Sequence, residues 1–460
     1  MKKRLVVGII FLFIGTCVVQ STAQDIEKSL LPTLSRDWWP MFHHDLNHSG
    51  YSTSTGPDTN KTAWYFNTGH YIRDSSPSIA DGKIYIGTIT SSGSAAKLYC
   101  LNAETGVKIW DYATGLYGRI FSSPAVVNGK VYVGTEDNKV YCLNAETGTK
   151  IWEYTTGLYV YSSPAVADGK VYVGSNDCNV YCLNAETGTK IWEYTTSSHV
   201  RSSPAIADGK VYIGSGDSNV YCLNAETGTK IWNSTIGPHI YSSPAIANGK
   251  VYIGTMTDDN KVYCLDAETG AKIWDYTTGS YIISSPAVAD GKIYIGSDDH
   301  NVYCLNAETG TKIWNYTTGA GVSSSPAVAD GMVYVGSLDN NVYCLNAETG
   351  IKIWDFTTNG DIDSSPAIAD GKVYIGSADG NVYCFGNQSN GRKAFIFGRY
   401  ANLTSEGSNV CIEALNLRMV LFKPFEFHHY VTGEKILFLK SLSKPMITSR
   451  FIFGRIYVVT

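Results

Sequence analysis

The sequence lacks the short motifs of the commonest enzyme chemistries and has few charges. It contains no phosphate-cradling glycine loop and no nucleophile elbow, because its Asp-Gly-Lys signals recur as hairpin turns. Charged residues make up only 17% of the chain, whose net charge is -5. Residues 1–24 carry a net +3 and residues 387–460 a net +6, so the stretch between them carries -14. This acidic centre argues against nucleic acid as a partner, since phosphate binding needs a basic surface.

Long apolar runs are absent after residue 19, so no later segment is predicted to span a bilayer. At the start, Lys2-Lys3-Arg4 precedes an apolar run over residues 5–19, and small residues follow at 21–23. This pattern is typical of a secretory signal peptide over residues 1–23, with an uncleaved anchor as the alternative. The sequence therefore predicts an extracytoplasmic protein, either secreted or held at the cell surface.

A repeat dominates the rest of the chain. From about residue 75 one unit recurs every 40 to 47 residues, and the triplet Ser-Ser-Pro appears eight times. Each unit predicts four short strands, named A to D. Strand A begins at Ser-Ser-Pro, an Asp-Gly or Asn-Gly turn leads into strand B, a variable polar turn into strand C, and Ala-Glu-Thr-Gly into strand D. Units of this kind are typical of the blades of a β-propeller.

The strand count predicts how the ring closes. Strands A to C occur eight times, but only seven strands D follow their own blade. The missing strand D lies ahead of blade 1, at Lys61–Phe66, where it would complete blade 8 and remove an exposed sheet edge. We therefore predict an all-β fold: a lead-in segment at 24–60, an eight-bladed β-propeller at 61–386 closed by an N-terminal strand, and a small β-rich C-terminal domain at 387–460.

The C-terminal residues differ in composition from the repeats. Asp is absent there, and apolar alternation resumes at 393–399, 409–422, 434–440 and 446–460, which favours strands. Attachment to a membrane or cell surface through this domain is one interpretation, and a β cap on the propeller is another.

The strand C–D segment resembles the tryptophan-docking motif of PQQ-like repeat propellers. Residues 142–152 read Cys-x-Asn-x-x-Thr-Gly-x-x-x-Trp, and the motif occurs seven times. That family includes quinoprotein alcohol dehydrogenases and a lipoprotein of the bacterial outer-membrane assembly machinery. Residues 39–50 also look like the N-terminal segment of these proteins. The resemblance implies the propeller fold and says much less about activity, because this architecture hosts unrelated functions.

The sequence departs from the family motif at two positions. Cysteine stands where the family usually has a small alanine, and asparagine replaces aspartate except at Asp266. Equivalent positions of neighbouring blades lie roughly 10 Å apart, whereas a disulfide needs Cα atoms within about 7 Å. We therefore expect small, buried, unpaired thiols at these positions, with a metal or redox role as the alternative. They are Cys100, Cys142, Cys182, Cys222, Cys264, Cys304, Cys344 and Cys384.

Variation between the repeats points to a binding face. It concentrates in the D–A connection, the start of strand A and the B–C turn, which lie on one face of a propeller around the channel mouth. Rigid scaffolds commonly carry their binding residues on such loops. One side of this mouth is aromatic and basic and the other acidic. The predicted ligand-binding residues are Tyr71, Arg73, Asp74, Arg119, Phe121, Tyr159, Tyr161, His199, Arg201, His239, Tyr241, Tyr281, Asp361 and Asp363.

Three functions remain open at this point. We predict an exported, non-catalytic scaffold that binds a protein, peptide or glycan at the mouth, with no catalytic residue, cofactor or metal. The alternative implied by the resemblance is an alcohol or sugar dehydrogenase that uses PQQ and calcium. Members of that kind have a disulfide between adjacent cysteines, which this chain lacks, although Asp74, Asp361 and Asp363 are candidate calcium ligands. A purely structural surface-layer role is the third.

The lead-in segment raises a separate metal hypothesis. His43, His44, Asp45 and His48 are residue types that bind metals. Aromatic residues surround them, and a segment docked on the propeller is the preferred interpretation.

Overall fold

The computed structural model describes residues 37–90, 95–256 and 259–386 in full, and it describes strands within 392–458 by their backbone. The predicted signal peptide lies outside the described residues. The described part of the chain is all β. No described helix is long and apolar enough to cross a membrane. The predicted eight-bladed propeller is confirmed, because the strands form eight blades, seven of four strands and one of five.

Two strands precede the blades, and every blade then adds its strands in chain order. They are β1 (Tyr51–Ser52) and β2 (Thr62–Asn67). Blades 1 to 4 are β3–β6 (Ser78–Ala80, Lys83–Gly87, Lys97–Asn102, Lys108–Ala113), β7–β10 (Ala125–Val127, Lys130–Gly134, Lys139–Asn144, Lys150–Thr155), β11–β14 (Ala165–Ala167, Lys170–Gly174, Asn179–Asn184, Lys190–Thr195) and β15–β18 (Ala205–Ala207, Lys210–Gly214, Asn219–Asn224, Lys230–Thr235).

The second half of the ring has the same pattern. Blades 5 to 8 are β19–β22 (Ala245–Ala247, Lys250–Gly254, Lys261–Asp266, Lys272–Thr277), β23–β26 (Ala287–Ala289, Lys292–Gly296, Asn301–Asn306, Lys312–Thr317), β27–β30 (Ala327–Ala329, Met332–Gly336, Asn341–Asn346, Lys352–Thr357) and β31–β33 (Ala367–Ala369, Lys372–Gly376, Asn381–Phe385).

The N-terminal strands complete two blades. Strand β2 pairs antiparallel with β33 and so supplies the fourth strand of blade 8, as the strand count predicts. Trp64 stands opposite Cys384 in this pair, just as Trp152 stands opposite Cys142 within blade 2. Strand β1 pairs parallel with β27 and adds a fifth strand to the inner edge of blade 7, which the sequence did not predict.

Tryptophan docking joins each blade to the next. The indole Nε1 of Trp152 donates to the carbonyl of Ala185 in the following blade at 3.1 Å, and the Tyr132 hydroxyl donates to the same carbonyl at 3.1 Å. Gly188, at φ +71°, lies under the indole, where an added Cβ would be 2.6 Å from the ring. The Ala-Glu-Thr-Gly turn is nearly invariant because its carbonyl and its bare glycine are both parts of this joint.

The joint between blades 7 and 8 uses a substitute. Blade 8 has no Ala-Glu-Thr-Gly turn, and the carbonyl of Pro57 takes its place, accepting from Trp354 Nε1 at 3.1 Å and the Tyr334 hydroxyl at 2.9 Å. Elsewhere a strand B lysine pairs with the glutamate of the next turn, as in Lys170 and Glu226 at 2.7 Å. At this seam no such glutamate exists, and the lysine position is the buried Met332.

The second serine of every Ser-Ser-Pro triplet belongs to a closed hydrogen-bond ring. Its backbone N–H donates to the Oγ of the equivalent serine one blade on, as from Ser163 to Ser203 at 2.9 Å. The chain of bonds closes on itself when Ser365 donates to Ser76. The first serine works within its blade, since Ser162 Oγ accepts from Gly174 N–H of strand B at 3.1 Å. We call the eight second serines the serine ring: Ser76, Ser123, Ser163, Ser203, Ser243, Ser285, Ser325 and Ser365.

The lead-in segment runs across the inner strands. Its carbonyls accept from strand A backbone N–H groups, Pro40 from Val126 in blade 2 and Leu46 from Ile206 in blade 4, each at 2.7 Å. The same contacts continue through blades 5, 6 and 7. The docked interpretation of this segment therefore holds. Three of its histidines adopt positive φ, at 54° to 79°, so the segment turns rather than runs extended.

The C-terminal strands form one antiparallel seven-stranded sheet. Its order is β37-β36-β35-β34-β40-β39-β38. That these residues constitute a separate domain remains a prediction. The strands are β34 (Arg392–Ile396), β35 (Arg399–Glu406), β36 (Asn409–Ala414), β37 (Leu417–Leu421), β38 (Phe425–Thr432), β39 (Glu434–Ser441) and β40 (Ile456–Val458).

Ring closure makes a first testable prediction. Trp64→Ala removes a partly buried indole and its 3.1 Å hydrogen bond to Ala103 at the seam between blades 8 and 1. We expect the free energy of unfolding to fall by about 3 kcal/mol, measured by denaturant titration. Tyr65→Ala is the matched control, because this neighbour on β2 is 66% exposed. Equal losses for the two variants would contradict the closure role.

The serine ring makes a second testable prediction. Ser203→Ala deprives the buried Ser163 N–H of its acceptor, and we expect a loss of about 1–2 kcal/mol in unfolding free energy. Ser197→Ala, at an exposed serine nearby in the chain, should change stability by less than about 0.5 kcal/mol. A Ser203→Ala variant as stable as the wild type would show that the ring bond contributes nothing.

Candidate functional site

The channel mouth contains a cavity of about 440 Å³. Seven members of the serine ring line it, and so does Phe42 of the lead-in segment, which we call its floor. Its wall consists of the one residue that directly precedes each Ser-Ser-Pro triplet, so every blade contributes one side chain. In order around the ring they are Asp74, Phe121, Tyr161, Arg201, Tyr241, Ile283, Ser323 and Asp363.

Packing between blades aims these residues at the channel. In blades 2 to 8 the residue before the wall residue is a buried Val or Ile, such as Val160, which packs on Gly134 of the preceding blade. A Cβ on Gly134 would lie 2.4 Å from Val160. Because successive side chains of extended backbone point to opposite sides, the next residue faces the channel. Blade 1 has one extra residue here, and Asp74 reaches the cavity from a left-handed conformation, at φ +58°, that aspartate tolerates.

Arg201 lies between two tyrosines on the basic side of the wall. Its guanidinium carbon is 5.0 Å from the ring centroid of Tyr161 and 5.0 Å from that of Tyr241. Both distances are within the range of cation–π attraction. The tyrosine hydroxyls are held as well, that of Tyr161 by Glu136 Oε1 at 2.9 Å and that of Tyr241 by His199 Nε2 at 2.9 Å. The arrangement is thus fixed on both sides of the guanidinium.

Arg201 differs from the other two arginines of the mouth in its partners. Arg119 pairs with Glu136 at 3.4 Å, and Arg73 with Asp361 at 3.5 Å. Arg201 donates only from Nε, to the amide oxygen of Asn176 at 3.4 Å. Among the described residues it therefore has no carboxylate partner, and its two terminal NH₂ groups remain for an external acceptor.

Asp74 and Asp363 form the acidic side of the wall. Asp74 is exposed at the surface of the cavity, and desolvation by the surrounding wall raises its pKa to about 7. The neighbouring charge of Asp363 raises this pKa further, while Arg73 and Arg201 oppose the shift. Burial also raises the pKa of Asp363, with Arg73 again opposing. The two carboxyls thus hold protons at higher pH than exposed aspartates do.

The other predicted site residues lie around the rim. Tyr159 contacts Tyr161, with ring centroids 5.9 Å apart, and the rings of His199 and His239 stack at 6.0 Å. Tyr71 and Tyr281 are 49% and 40% exposed and lie outside the cavity wall. The structure thus brings together Asp74, Phe121, Tyr161, Arg201, Tyr241 and Asp363, with Arg73, Arg119, Tyr159, His199, His239 and Asp361 beside them.

Sequence reasoning missed several residues of the cavity. The serine ring had a signal in the invariance of Ser-Ser-Pro, which looked like a purely structural feature. Met256 and Glu136 lie in the variable B–C turns but were not singled out there, and Phe42 had no signal, since it is far from the repeats in the chain.

The cavity does not fit a PQQ and calcium site. In the described part of the chain, no three or more His, Cys, Asp or Glu side chains are placed to hold a metal ion. Asp361 is turned to Arg73 rather than towards a shared cation. The nine described cysteines are free thiols. Eight of them lie one per blade in strand C, where burial raises the pKa of each to about 12, and the ninth, Cys178, lies in a turn. Such thiols do not form a vicinal redox pair.

The histidines of the lead-in segment have a structural role. His48 Nδ1 contacts the carbonyl of Pro244 at 3.0 Å, and His43 Nδ1 contacts the carbonyl of His48 at 3.3 Å. Burial lowers the pKa of His43 to about 3 and that of His48 to about 4, so both rings are neutral. They help to fix the floor of the cavity.

The sequence matches the family model described as outer membrane protein assembly factor BamB, over residues 50–276 and 216–414. The chain belongs to this family. The predicted resemblance to PQQ-like repeat propellers is confirmed. No curated protein matches the chain.

The solved structures that this chain resembles include BamB and dehydrogenases. BamB from Moraxella catarrhalis aligns with a TM-score of 0.60 at 18% identity, covering 71% of this chain and 99% of that one. Quinohemoprotein alcohol dehydrogenase from Comamonas testosteroni aligns with a TM-score of 0.64 at 15% identity, covering 80% and 82%. A europium-containing methanol dehydrogenase aligns at 0.62 and 14%, covering 76% and 98%. At these identities the likeness shows the fold, which hosts both an assembly factor and enzymes.

Asp74 makes the third prediction, a pH dependence of stability. Its pKa is raised in the folded protein, so between about pH 4 and 7 the unfolded chain releases this proton while the native protein keeps it. Stability from this group is therefore fully present at about pH 4 and is lost as the pH rises to about 7. In Asp74→Asn that loss should disappear. Compared with the wild type, the variant should therefore have a higher unfolding free energy at pH 7.5 than it does at pH 4.5, measured by denaturant titration. An unchanged difference between the two pH values would contradict the raised pKa.

Proposed function

We propose that this protein is an exported, non-catalytic scaffold that binds a segment of a protein or peptide in the mouth cavity. The observation that carries the proposal is the guanidinium of Arg201, fixed between Tyr161 and Tyr241 with no carboxylate partner among the described residues. The other two arginines of the mouth differ from it, since Arg73 is paired with Asp361 and Arg119 with Glu136. Arg201 is instead positioned for an external acceptor.

The shape of the cavity supports binding. Its volume of about 440 Å³ lies within the roughly 300–1,000 Å³ of ligand pockets. Its wall combines aromatic and aliphatic side chains with a few charged groups, a mixture suited to a polypeptide segment. Phe42 adds a further apolar side chain to the lining.

A protein or peptide fits this wall better than a glycan. Sugars bind aromatic side chains by stacking on an open ring face, and Arg201 already occupies one face of each of the two wall tyrosines. Tyr161 has Arg201 over its ring and the ring of Phe121 at 5.0 Å, and Tyr241 has Arg201 and His199. The hydrogen-bonding and charged groups of a polypeptide match what remains.

The proposed location and partner are supported by the family of the chain and by its N-terminal sequence. A membership in the family of an outer membrane protein assembly factor supports an extracytoplasmic position and an exported polypeptide as partner. The N-terminal pattern of residues 1–23 supports export as well. Attachment to a membrane or cell surface through residues 387–460 is part of the proposal that rests on composition alone.

The dehydrogenase alternative rests on fold neighbours. The cavity lacks the converging carboxylates and the vicinal cysteines that such a cofactor site uses, so no observation of the site favours it. No catalytic step is assigned to any residue.

The fourth prediction tests binding at the mouth. A reduced, alkylated exported polypeptide carrying a fluorophore should bind the wild type, measured by anisotropy. Arg201→Ala should weaken this binding about tenfold, or 1.4 kcal/mol, because it removes the free donors of the cavity. Lys190→Ala is the matched control, since it removes one positive charge from the exposed outer strand of blade 3. It should bind like the wild type.

Two further arms separate the alternatives. A neutral oligosaccharide in excess should not displace the polypeptide, and displacement would favour a glycan ligand. Added PQQ with calcium should leave the melting temperature unchanged, and a clear rise would favour the dehydrogenase. Equal affinity of the Arg201→Ala variant and the wild type would contradict binding at this cavity.

A further inference from the structure

The charges of the cavity wall stand on opposite sides of the ring. Arg201 belongs to blade 4, Asp363 to blade 8 and Asp74 to blade 1. In a closed ring of eight blades, blade 4 lies diametrically opposite blade 8, and blade 1 is next to blade 8. The cavity therefore has one cationic end and one anionic end, with uncharged wall residues between them. A ligand that satisfies both ends carries two opposite charges held apart.

The cationic end selects a planar acceptor. Tyrosine rings lie against both sides of the Arg201 guanidinium, each with its centroid 5.0 Å away, so a ligand reaches it along its edge. Two terminal NH₂ groups on that edge form the fork that binds a carboxylate through two parallel hydrogen bonds. A carboxylate matches this fork in both shape and charge.

The anionic end is equally without a partner. Neither Asp74 nor Asp363 has a side-chain hydrogen bond to another described residue, and the nearby Arg73 has its ion pair with Asp361 at 3.5 Å. A ligand ammonium offers three donors and a positive charge to these two carboxyls. It would also relieve their mutual repulsion.

We propose that the cavity binds a short peptide with both ends free, its C-terminal carboxylate on Arg201 and its N-terminal ammonium at Asp74 and Asp363. This assignment rests on the binding function proposed above. Because Arg201 and the two aspartates stand on opposite sides of the ring, a ligand that reaches both lies across the cavity. The serine ring beneath the wall presents its hydroxyls to the peptide backbone.

Matched peptides test the ligand class on the full-length protein. Isothermal titration at about pH 7.5 would compare trialanine with its N-acetylated and its C-amidated forms and with free alanine, because most terminal amines are still charged there. We expect trialanine to bind and each blocked form to bind at least tenfold more weakly. Free alanine should also bind at least tenfold more weakly, since it cannot reach both ends.

Variants assign each end of the peptide. In Arg201→Gln, amidation of the peptide should no longer weaken binding, while acetylation still should. In Asp363→Asn the pattern should reverse, because the ammonium loses one of its carboxyl partners. Arg201→Lys keeps the charge without the fork and should bind more weakly than the wild type but still discriminate against the amide. Lys190→Gln should match the wild type, and melting temperatures confirm that each variant is folded.

The outcomes separate this inference from the broader proposal. Equal binding of the free and blocked peptides, or equal binding of alanine and trialanine, overturns the assignment of a short peptide with free ends. In both cases the unfolded polypeptide probe still reports independently whether the cavity binds a protein segment. Binding of trialanine that is unchanged in both Arg201→Gln and Asp363→Asn overturns the assignment to this cavity.

Discussion

The cyclic hydrogen bonding of the serine ring is the constraint on which the cavity depends. Each bond, from one blade's backbone N–H to the next blade's Oγ at 2.9 or 3.0 Å, sets the spacing of two neighbouring inner strands. A donor and an acceptor come from the same residue, so every member must be serine-like for the cycle to close. Because the wall residue precedes this serine in the chain, its position is fixed whatever its side chain. In each blade, therefore, the ring serine builds the channel, and a different residue, the wall residue, lines it.

The seam between blades 7 and 8 shows how strictly one blade depends on the next. Where the chain has no Ala-Glu-Thr-Gly turn to offer, the carbonyl of Pro57 meets the same two donors that Ala185 meets elsewhere. The strand B position that holds a lysine in the other blades is Met332 here. The missing glutamate therefore leaves no buried cation unpaired. The exception follows from the same physics as the rule, since a buried donor or charge without a partner is costly.

The sequence predicted the blades and their closure because both depend on local patterns. Hairpin turns and strand spacing predict each blade, and the missing strand D predicts the pairing of Trp64 with the last blade. The site was predicted in part. Residues directly before the triplet line the cavity, whereas Tyr71 and Tyr281 lie outside its wall. The clamp on Arg201 and the Phe42 floor join residues far apart in the chain, and only the closed ring determines such contacts.

An eightfold scaffold would by itself give a wall with no preferred ligand, and the wall of this cavity has lost that symmetry. Seven wall positions are reached through the same backbone, but blade 1 carries an extra residue that brings Asp74 in at φ +58°. This places a second carboxyl beside Asp363, where desolvation keeps both pKa values raised and where Arg201 across the ring lowers that of Asp74. Ionising both carboxyls as the pH rises destabilises the fold, and a purely structural role offers nothing to offset that cost. A bound cationic group offsets it, because the group stabilises the ionised carboxyls.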